Sequence, residues 1–514
     1  METLSRMLAR NVRLVPDRPY LVAGGETVTY RDFAARTARL ANVMAAEGVR
    51  RGDRVGLYLP STPLMAVAFW ACTRLGAVPV PVSAMLRHAE LRHLVAKARM
   101  AALVADAGTW PYFAEIRGEF APLRTCLVAG GPARGAVDLE ASCATAPDAF
   151  ADADVDPSDV AAIFFTSGTT GTPKGTAQSH FAQCSSLRDM MVAHRTRYAS
   201  ETYLCAVPLF TNYGLVVNLN LCMYTGGTMV LHERWDTQRV LADIGRHRAT
   251  YFGGTPTMYV YMVNEHDPAR HDLSSLRVCT TGGSPVPQPV VARFEAMSGV
   301  RVSQVYGATE VCGQAVMEPT AGIRRPGSAG LPVGSSRIAI VDPATGAMLP
   351  PGETGEVVIG GDCVAIGYDG DPEATAAAFG PLGWRSGDVG YVDQDGFLFI
   401  IDRIKDVILT GGHNIYPLEV ETVLYRHPAV AMCAVVGVPD AEKGEIPVAV
   451  VVRAPGATDT EEEIRQWCRG QLAAYKAPRR VAFVDEMPIE AAKIRKRELV
   501  AAITRGDLGR FRRS

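Results

Sequence analysis

From residue 1 to about 400, two hydrophobic rhythms alternate along the chain. Short apolar runs, "RVGLYLP" (54–60), "AVPVPVS" (77–83) and "AALVADA" (101–107), read as buried strands. Between such runs lie helix-period stretches such as "YRDFAARTARLANVMAAEG" (30–48). This alternation predicts an α/β protein. Between Gly327 and Ile401 the texture changes to β runs punctuated by Gly and Pro, "SRIAIVD", "GEVVIGG" and "GFLFII", which predicts a smaller barrel-like β unit attached to the α/β body. From about 403 the chain offers a compact α+β unit. It comprises "LEVETVLYRHP" as a helix, "AVAMCAVVGVP" and "IPVAVVVRA" as strands, and a helix starting near Thr460. Thr460 followed by Glu463 fits a capping box, and Ile464, Trp467, Cys468 and Leu472 form one apolar face behind it.

Length and composition narrow the class. At 514 residues the chain exceeds one ordinary core, and 48% hydrophobic residues suffice for two or more domains. A formal charge of -2 gives no electrostatic footprint for nucleic acid or an anionic membrane. The eleven cysteines are scattered without a C-x-x-C pair, which argues against a disulfide framework or a zinc site and fits a reducing cytoplasm. The N-terminal residues lack the apolar core of a secretory signal, and the most apolar run, Pro63 to Cys72, is too short to span a bilayer. A cytoplasmic protein without a membrane span is expected.

The segment "TSGTTGTPKG", Thr166 to Gly175, follows the apolar run Ala161 to Phe165. Its glycines let backbone amides approach an anion closely, and hydroxyls with one lysine add donors. A flexible linker is the bland alternative, but a linker needs neither Pro173 beside Lys174 nor a buried strand before it. The spacing fits neither a Walker A loop, since Gly175 follows Lys174, nor a dinucleotide fingerprint, since no glycine pair in the stretch has a one-residue gap.

Five further segments follow in order: "TTGGSPVP" (280–287), "YGATE" (306–310), "WRSGD" (384–388), "DRIKD" (402–406) and "TGGHNIYPLEVE" (410–421). With the first segment, and with "LMAVAFWACTRLGAVPVPVS" near the start, they resemble the adenylate-forming superfamily: acyl-CoA synthetases, nonribosomal-peptide adenylation domains and beetle luciferases. The resemblance covers almost the whole chain, and the acyl- and aryl-CoA synthetases are the most similar branch. It implies an N-terminal ATP- and acid-binding domain over 1–402, a mobile C-terminal lid over 403–514, and a hinge near Lys405. It implies ATP, Mg²⁺ and CoA as the molecules used.

The resemblance also implies roles. Thr166, Ser167, Gly168, Thr169, Thr170, Gly171 and Lys174 would cradle the β- and γ-phosphates. Glu310 would bind Mg²⁺, an oxygen donor suiting a hard cation. Tyr306, Gly307 and Thr309 would line the nucleotide site, Asp388 would accept the ribose hydroxyls, and Arg403 would join it. Gly282, Gly283 and Ser284 would border the adenine and acyl pocket, where absent side chains make room. Lys405 would be the hinge, and Gly411 and Gly412 would form part of a pantetheine tunnel. Lys493, Glu310 and Thr166 are the candidate catalytic residues, Lys493 bridging the acid and the α-phosphate.

Two departures from the family pattern matter. "MPIEAAKIRKREL" places Lys493 five residues after Pro488, where the family usually has six, and has Ala492 in place of glycine. Lys496 is the neighbouring alternative. In "PLFTNYGL" (208–215), Thr211 stands where many acyl-CoA synthetases carry histidine, so Thr211, Asn212 and Tyr213 with Gly282 suggest a wider or more polar acid pocket. The first expectation is an ATP- and Mg²⁺-dependent acid–CoA ligase acting on a small or medium organic acid, since only a short tail follows Lys493. The alternatives are transfer to a carrier-protein thiol or an amine, including activation of an unusual acid such as nitrite in specialised metabolism, and a nucleotide-binding regulator without catalysis.

Overall fold

The computed structural model describes residues 2–166, 173–284, 286–411, 413–440, 442–490 and 493–511, with Glu490 and Lys493 described by backbone alone. Two large sheets dominate the first part of the chain. A five-stranded parallel sheet has the order Val78–Val82, Arg54–Tyr58, Ala102–Asp106, Thr125–Ala129, Val137–Asp138. Three of these strands are the expected runs. A nine-stranded sheet carries a parallel centre, in which Thr228–Leu231, Thr202–Cys205, Tyr251–Gly254, Val278–Gly282 and Val302–Tyr306 lie side by side.

Helices Tyr30–Ala46 and Pro63–Leu75 share one hydrophobic core with both sheets, in which Phe33, Met44 and Trp70 pack with Leu57, Val104 and Leu204. The second helix is the apolar run that is too short to cross a bilayer. It starts with Pro63, whose fixed φ suits a first helical turn, and stops at Gly76 with φ 70°. From Met65 to Thr73 every residue is buried. A helix apolar all round belongs inside a large core, where each Leu- or Phe-sized side chain contributes roughly 1.5–3 kcal/mol. Among the described residues no helix is long and apolar enough to cross a membrane.

A third sheet of three strands, Gly367–Tyr368, Lys174–Ser179 and Val160–Thr166, carries the glycine-rich segment. The β unit follows as Arg337–Val341, Gly355–Gly360, Gly383–Val392 and Phe379–Gly380, with Leu398–Arg403 also pairing on the long strand Gly383–Val392. Among the described residues its pairings form a branched path, in which Gly383–Val392 has three partner strands. Ile340, Val357, Trp384 and Leu398 fill its core.

Sheet membership changes between Arg403 and Ile408. Strand Leu398–Arg403 belongs to the β unit, and Ile408–Thr410 opens the last sheet, with His413–Ile415, Gly444–Arg453, Val430–Asp440 and Arg480–Val484. Helices cover both faces of this mixed sheet. Pro417–Leu424 and Glu461–Gln471 lie on one core, and Lys496–Arg505 on the other. The capping box forms as expected, the Thr460 N–H donating to Glu463 Oε2 at 2.7 Å and the Glu463 N–H to Thr460 Oγ1 at 3.3 Å.

Candidate active site

Parallel strands in an open α/β sheet present their carboxyl ends together, and ligands bind beyond those ends. Here Tyr251–Gly254, Val278–Gly282 and Val302–Tyr306 deliver Gly254, Gly282 and Tyr306 to one edge, with Gly282 paired to Val305. The loop after Tyr306 folds back on itself. The Ala315 N–H donates to the Tyr306 carbonyl at 3.0 Å, and the Gly313 N–H to the Ala308 carbonyl at 3.0 Å. A Cβ on Gly307 would lie 1.9 Å from the Gly313 carbonyl oxygen, so only glycine permits this closure. The closed loop places Thr309 and Glu310 in a short 3₁₀ turn, with Glu310 7% exposed.

The glycine-rich segment connects the two strands of an antiparallel hairpin. Thr166 ends the first strand and pairs with Lys174, which starts the second. Ser167, Gly168, Thr169, Thr170 and Gly171 lie outside the described residues. The third strand brings Tyr368 opposite Thr176. The Tyr368 hydroxyl donates to Glu310 Oε1 at 3.1 Å, and Lys174 Nζ stands 4.7 Å from the centre of its ring. The chemistry of this corner suits a magnesium ion carried by phosphates, with a buried carboxylate oxygen facing hard-cation chemistry and a lysine beside it for the anion.

Asp388 and Arg403 are cross-strand partners in the β unit. The Asp388 carboxylate, 6% exposed, accepts the Tyr306 hydroxyl at 2.6 Å and lies 3.3 Å from Arg403 Nε. Burial first, and then the Asp388 charge, push the Tyr306 phenol well above its ordinary value, so it stays a donor at working pH. Gln178 completes the connection, its Nε2 donating to Asn212 Oδ1 at 2.8 Å and to the Thr309 carbonyl at 2.7 Å. Thr166, Lys174, Tyr306, Gly307, Thr309, Glu310, Asp388 and Arg403 therefore lie in one contiguous network. Gln178 and Tyr368 were not singled out in the sequence. Neither carries a local signal, because each matters through a strand pairing or loop contact far away along the chain.

The acid-pocket residues divide. Asn212 joins the network through Gln178. Thr211 spends its hydroxyl locally, donating to the Pro208 carbonyl at 2.7 Å and accepting the Gly214 N–H at 3.0 Å. It closes the entry to Tyr213–Asn220, a π-helical stretch of the wider turn often found at functional sites. The Tyr213 hydroxyl donates to the Gly254 carbonyl at 3.1 Å, tying that helix to the strand edge. Gly282 departs from the expectation that a missing side chain leaves room. A Cβ there would meet Val305 Cγ2 at 2.6 Å, so the glycine serves close strand packing. Gly283 adopts φ 91° just after the strand, and it and Ser284 are exposed.

Lys405 sits in the short turn Ile404–Asp406 between the β unit and the last sheet. Gly411 turns with φ 53° after Thr410, whereas Gly412 lies outside the described residues. The described part of Lys493 is its backbone, in the hairpin pairing Ile489–Glu490 with Lys493–Ile494. Its candidate role concerns a side chain beyond that description. Lys496 is committed elsewhere, its Nζ lying 2.8 Å from Glu421 Oε1. Burial lowers its affinity for a proton, but Glu421 and Asp402 outweigh burial and raise its pKa.

Asp402 is buried, which raises its pKa to about 6, and it accepts the backbone N–H groups of Leu418 and Arg403, each at 2.8 Å. Lys496→Ala would leave both carboxylates without this counter-charge. The pair is partly exposed, so the cost is expected at ~2 kcal/mol, below the ~3–5 kcal/mol of a fully buried pair. Earlier thermal unfolding checks this; an unchanged melting curve would contradict it.

The fold brings the hairpin lysine Lys174, the buried Glu310 and the Asp388–Arg403 pair toward one sheet edge. Residues 8–369 match the family model described as AMP-binding enzyme, and residues 419–493 match the AMP-binding enzyme C-terminal domain. The chain belongs to the AMP-binding enzyme family. A feruloyl-CoA synthase from an Amycolatopsis species is 38% identical over 493 residues, covering 95% of this chain and 97% of the relative.

Among solved structures, the anthranilate CoA ligase AuaEII in complex with anthranoyl-AMP superposes with a TM-score of 0.92 at 28% identity, covering 98% of both chains. ATP-bound MatB from Rhodopseudomonas palustris gives 0.90 at 30% identity, covering 98% of this chain and all of that one. Apo MatB, at the same identity and coverage, gives 0.79. The same relative matches better when loaded with ATP, so the difference is one of arrangement and not of sequence.

Proposed function

We propose that this enzyme joins an aryl or arylalkenoic acid to the thiol of coenzyme A, through an acyl-adenylate made at the edge where Lys174, Glu310, Asp388 and Arg403 meet. The observation that carries the reading is the single network joining the hairpin lysine, the buried glutamate and the Asp388–Arg403 pair. Two relatives support the class of acid: one is named a feruloyl-CoA synthase and the other an anthranilate CoA ligase, and both names refer to acids with an aromatic ring.

In the first half-reaction a carboxylate oxygen attacks the α-phosphorus of ATP, and the bond to pyrophosphate breaks. Thr166 and Lys174, with Ser167, Gly168, Thr169, Thr170 and Gly171, hold the departing β- and γ-phosphates, and Lys493 offsets the charge growing on the α-phosphate. Glu310 would hold magnesium, which when bound would offset charge on the departing pyrophosphate. Asp388 accepts the ribose hydroxyls, oriented by Tyr306 and Arg403. In the second half-reaction the thiol sulfur, having lost its proton, attacks the acyl carbonyl and AMP leaves. The lid turns at Lys405 between the two steps, and the better match to ATP-bound MatB supports assigning the present arrangement to the first. Ten of the eleven cysteines are buried and all are free, which supports a reducing cytoplasm.

A panel of ferulate, coumarate, anthranilate, benzoate, malonate and nitrite, scored for pyrophosphate release with and without CoA and with products identified by mass spectrometry, tests the reading. The aromatic acids should give CoA thioesters. Release confined to nitrite, or products formed only with an amine, would overturn it. Lys405→Pro fixes φ at the proposed hinge and should arrest one half-reaction while sparing the other. Measuring pyrophosphate exchange and adenylate-to-thioester conversion separately checks this, and equal loss of both in a folded variant would count against the hinge.

A further inference from the structure

We infer that Tyr368 is a positioning residue that fixes the Glu310 carboxylate and the Lys174 ammonium relative to each other, and so sets the affinity of the site for magnesium-bound ATP. The inference rests on the proposed roles of Glu310 and Lys174. Its ground is the placement of one side chain between two groups that reach the site from different elements.

Tyr368 is itself tightly held. Gly367 before it has φ 147°, and a Cβ there would strike Thr375 Cγ2 at 2.5 Å. Only glycine lets this strand approach the helix Pro372–Ala378 so closely. The Tyr368 N–H donates to Thr375 Oγ1 at 2.9 Å. After it, the Asp369 N–H donates to the Gly175 carbonyl at 2.7 Å, and the Asp369 carboxylate takes Arg54 through both oxygens, at 2.7 and 3.2 Å. A bidentate guanidinium pair fixes orientation as well as distance. The ring packs edge-on against Phe379, with centroids 5.4 Å apart.

The hydroxyl and the ring do different things. Donation to Glu310 Oε1 limits rotation of the carboxylate and makes it present a defined edge. The ring face attracts the Lys174 ammonium. Groups that orient a metal-binding carboxylate typically change metal affinity or activity by about 10–100-fold when removed. Tyr368→Phe keeps the ring and deletes the hydroxyl, which separates the two contributions.

The test is calorimetric titration of the full chain with ATP at stepped magnesium concentrations, with thermal melting as a control. Tyr368→Phe should raise the magnesium concentration needed for half-maximal gain in ATP affinity about tenfold, with melting unchanged. Tyr368→Leu should in addition weaken ATP binding at saturating magnesium, because the ring beneath Lys174 is lost. Glu310→Gln is titrated in parallel, and Tyr368→Phe should add no further shift in that background, since its effect passes through the carboxylate. A magnesium dependence in Tyr368→Phe equal to the parent's, with Glu310→Gln shifted, overturns the role of Tyr368 alone. No shift in Glu310→Gln overturns the reading of Glu310 and the inference with it.

Discussion

Lys493→Ala is expected to abolish acid-dependent pyrophosphate exchange yet still convert a chemically prepared acyl-adenylate and CoA to thioester. The residue begins the second strand of a hairpin in which Glu490 pairs with Lys493, near the C-terminal end of the chain. A lysine ammonium near the α-phosphate offsets charge that develops only as the carboxylate oxygen attacks. Removing one such donor typically costs ~3 kcal/mol, about a hundredfold or more in rate. In the proposed cycle the second half-reaction proceeds with the lid turned and this lysine elsewhere, so it should survive. Near-normal exchange would show that the shortened segment after Pro488 has displaced Lys493 from catalysis. Lys496 is a poor substitute, because its ammonium is held by Glu421.

Asp388→Ala should be the second largest loss. The carboxylate accepts the Tyr306 hydroxyl, pairs with the Arg403 charge, and is the proposed acceptor for both ribose hydroxyls. Hydrogen bonds to a charged group contribute about 1.5–3 kcal/mol each, so losing two should raise the ATP KM roughly a hundredfold or more. Part of the damage would come from the Tyr306 hydroxyl left buried without its partner. Tyr306→Phe measures that part, since it removes the hydroxyl and leaves the acceptor. Steady-state kinetics in ATP for both variants decide the matter. If Tyr306→Phe reproduces the whole effect of Asp388→Ala, Asp388 is structural and the ribose assignment fails.

The elements legible in the sequence were those whose determinants are local. Thr460 and Glu463 sit within one helical turn, and their capping box forms as read. The helix-period stretch from Tyr30 forms as the helix Tyr30–Ala46. What was not legible came from long-range pairing. The strand before the glycine-rich segment was evident, but not that Lys174 starts a second strand pairing back on Thr166, nor that Tyr368 lies beside Thr176 in the same sheet. Thr211 was readable as a departure from a family pattern, whereas its hydroxyl's local role depends on where the Pro208 carbonyl points. Gly282 looked like space for a ligand, and the space is taken by Val305 from the adjacent strand. A residue's type limits what it can do, and its neighbours decide which of those things it does.

The central claim is that the acid is activated as an adenylate at the Asp388–Glu310 edge before transfer to coenzyme A. Isotope transfer tests it most directly. Ferulate labelled with ¹⁸O in its carboxylate is incubated with ATP, magnesium, CoA and the enzyme, and the nucleotide and phosphate products are examined by mass spectrometry. Attack of the carboxylate oxygen on the α-phosphorus, followed by displacement of AMP by the thiol, predicts one ¹⁸O atom in AMP for each thioester formed and none in phosphate. Label in inorganic phosphate with ADP as the nucleotide product would contradict the account, because the acid would then have attacked the γ-phosphorus.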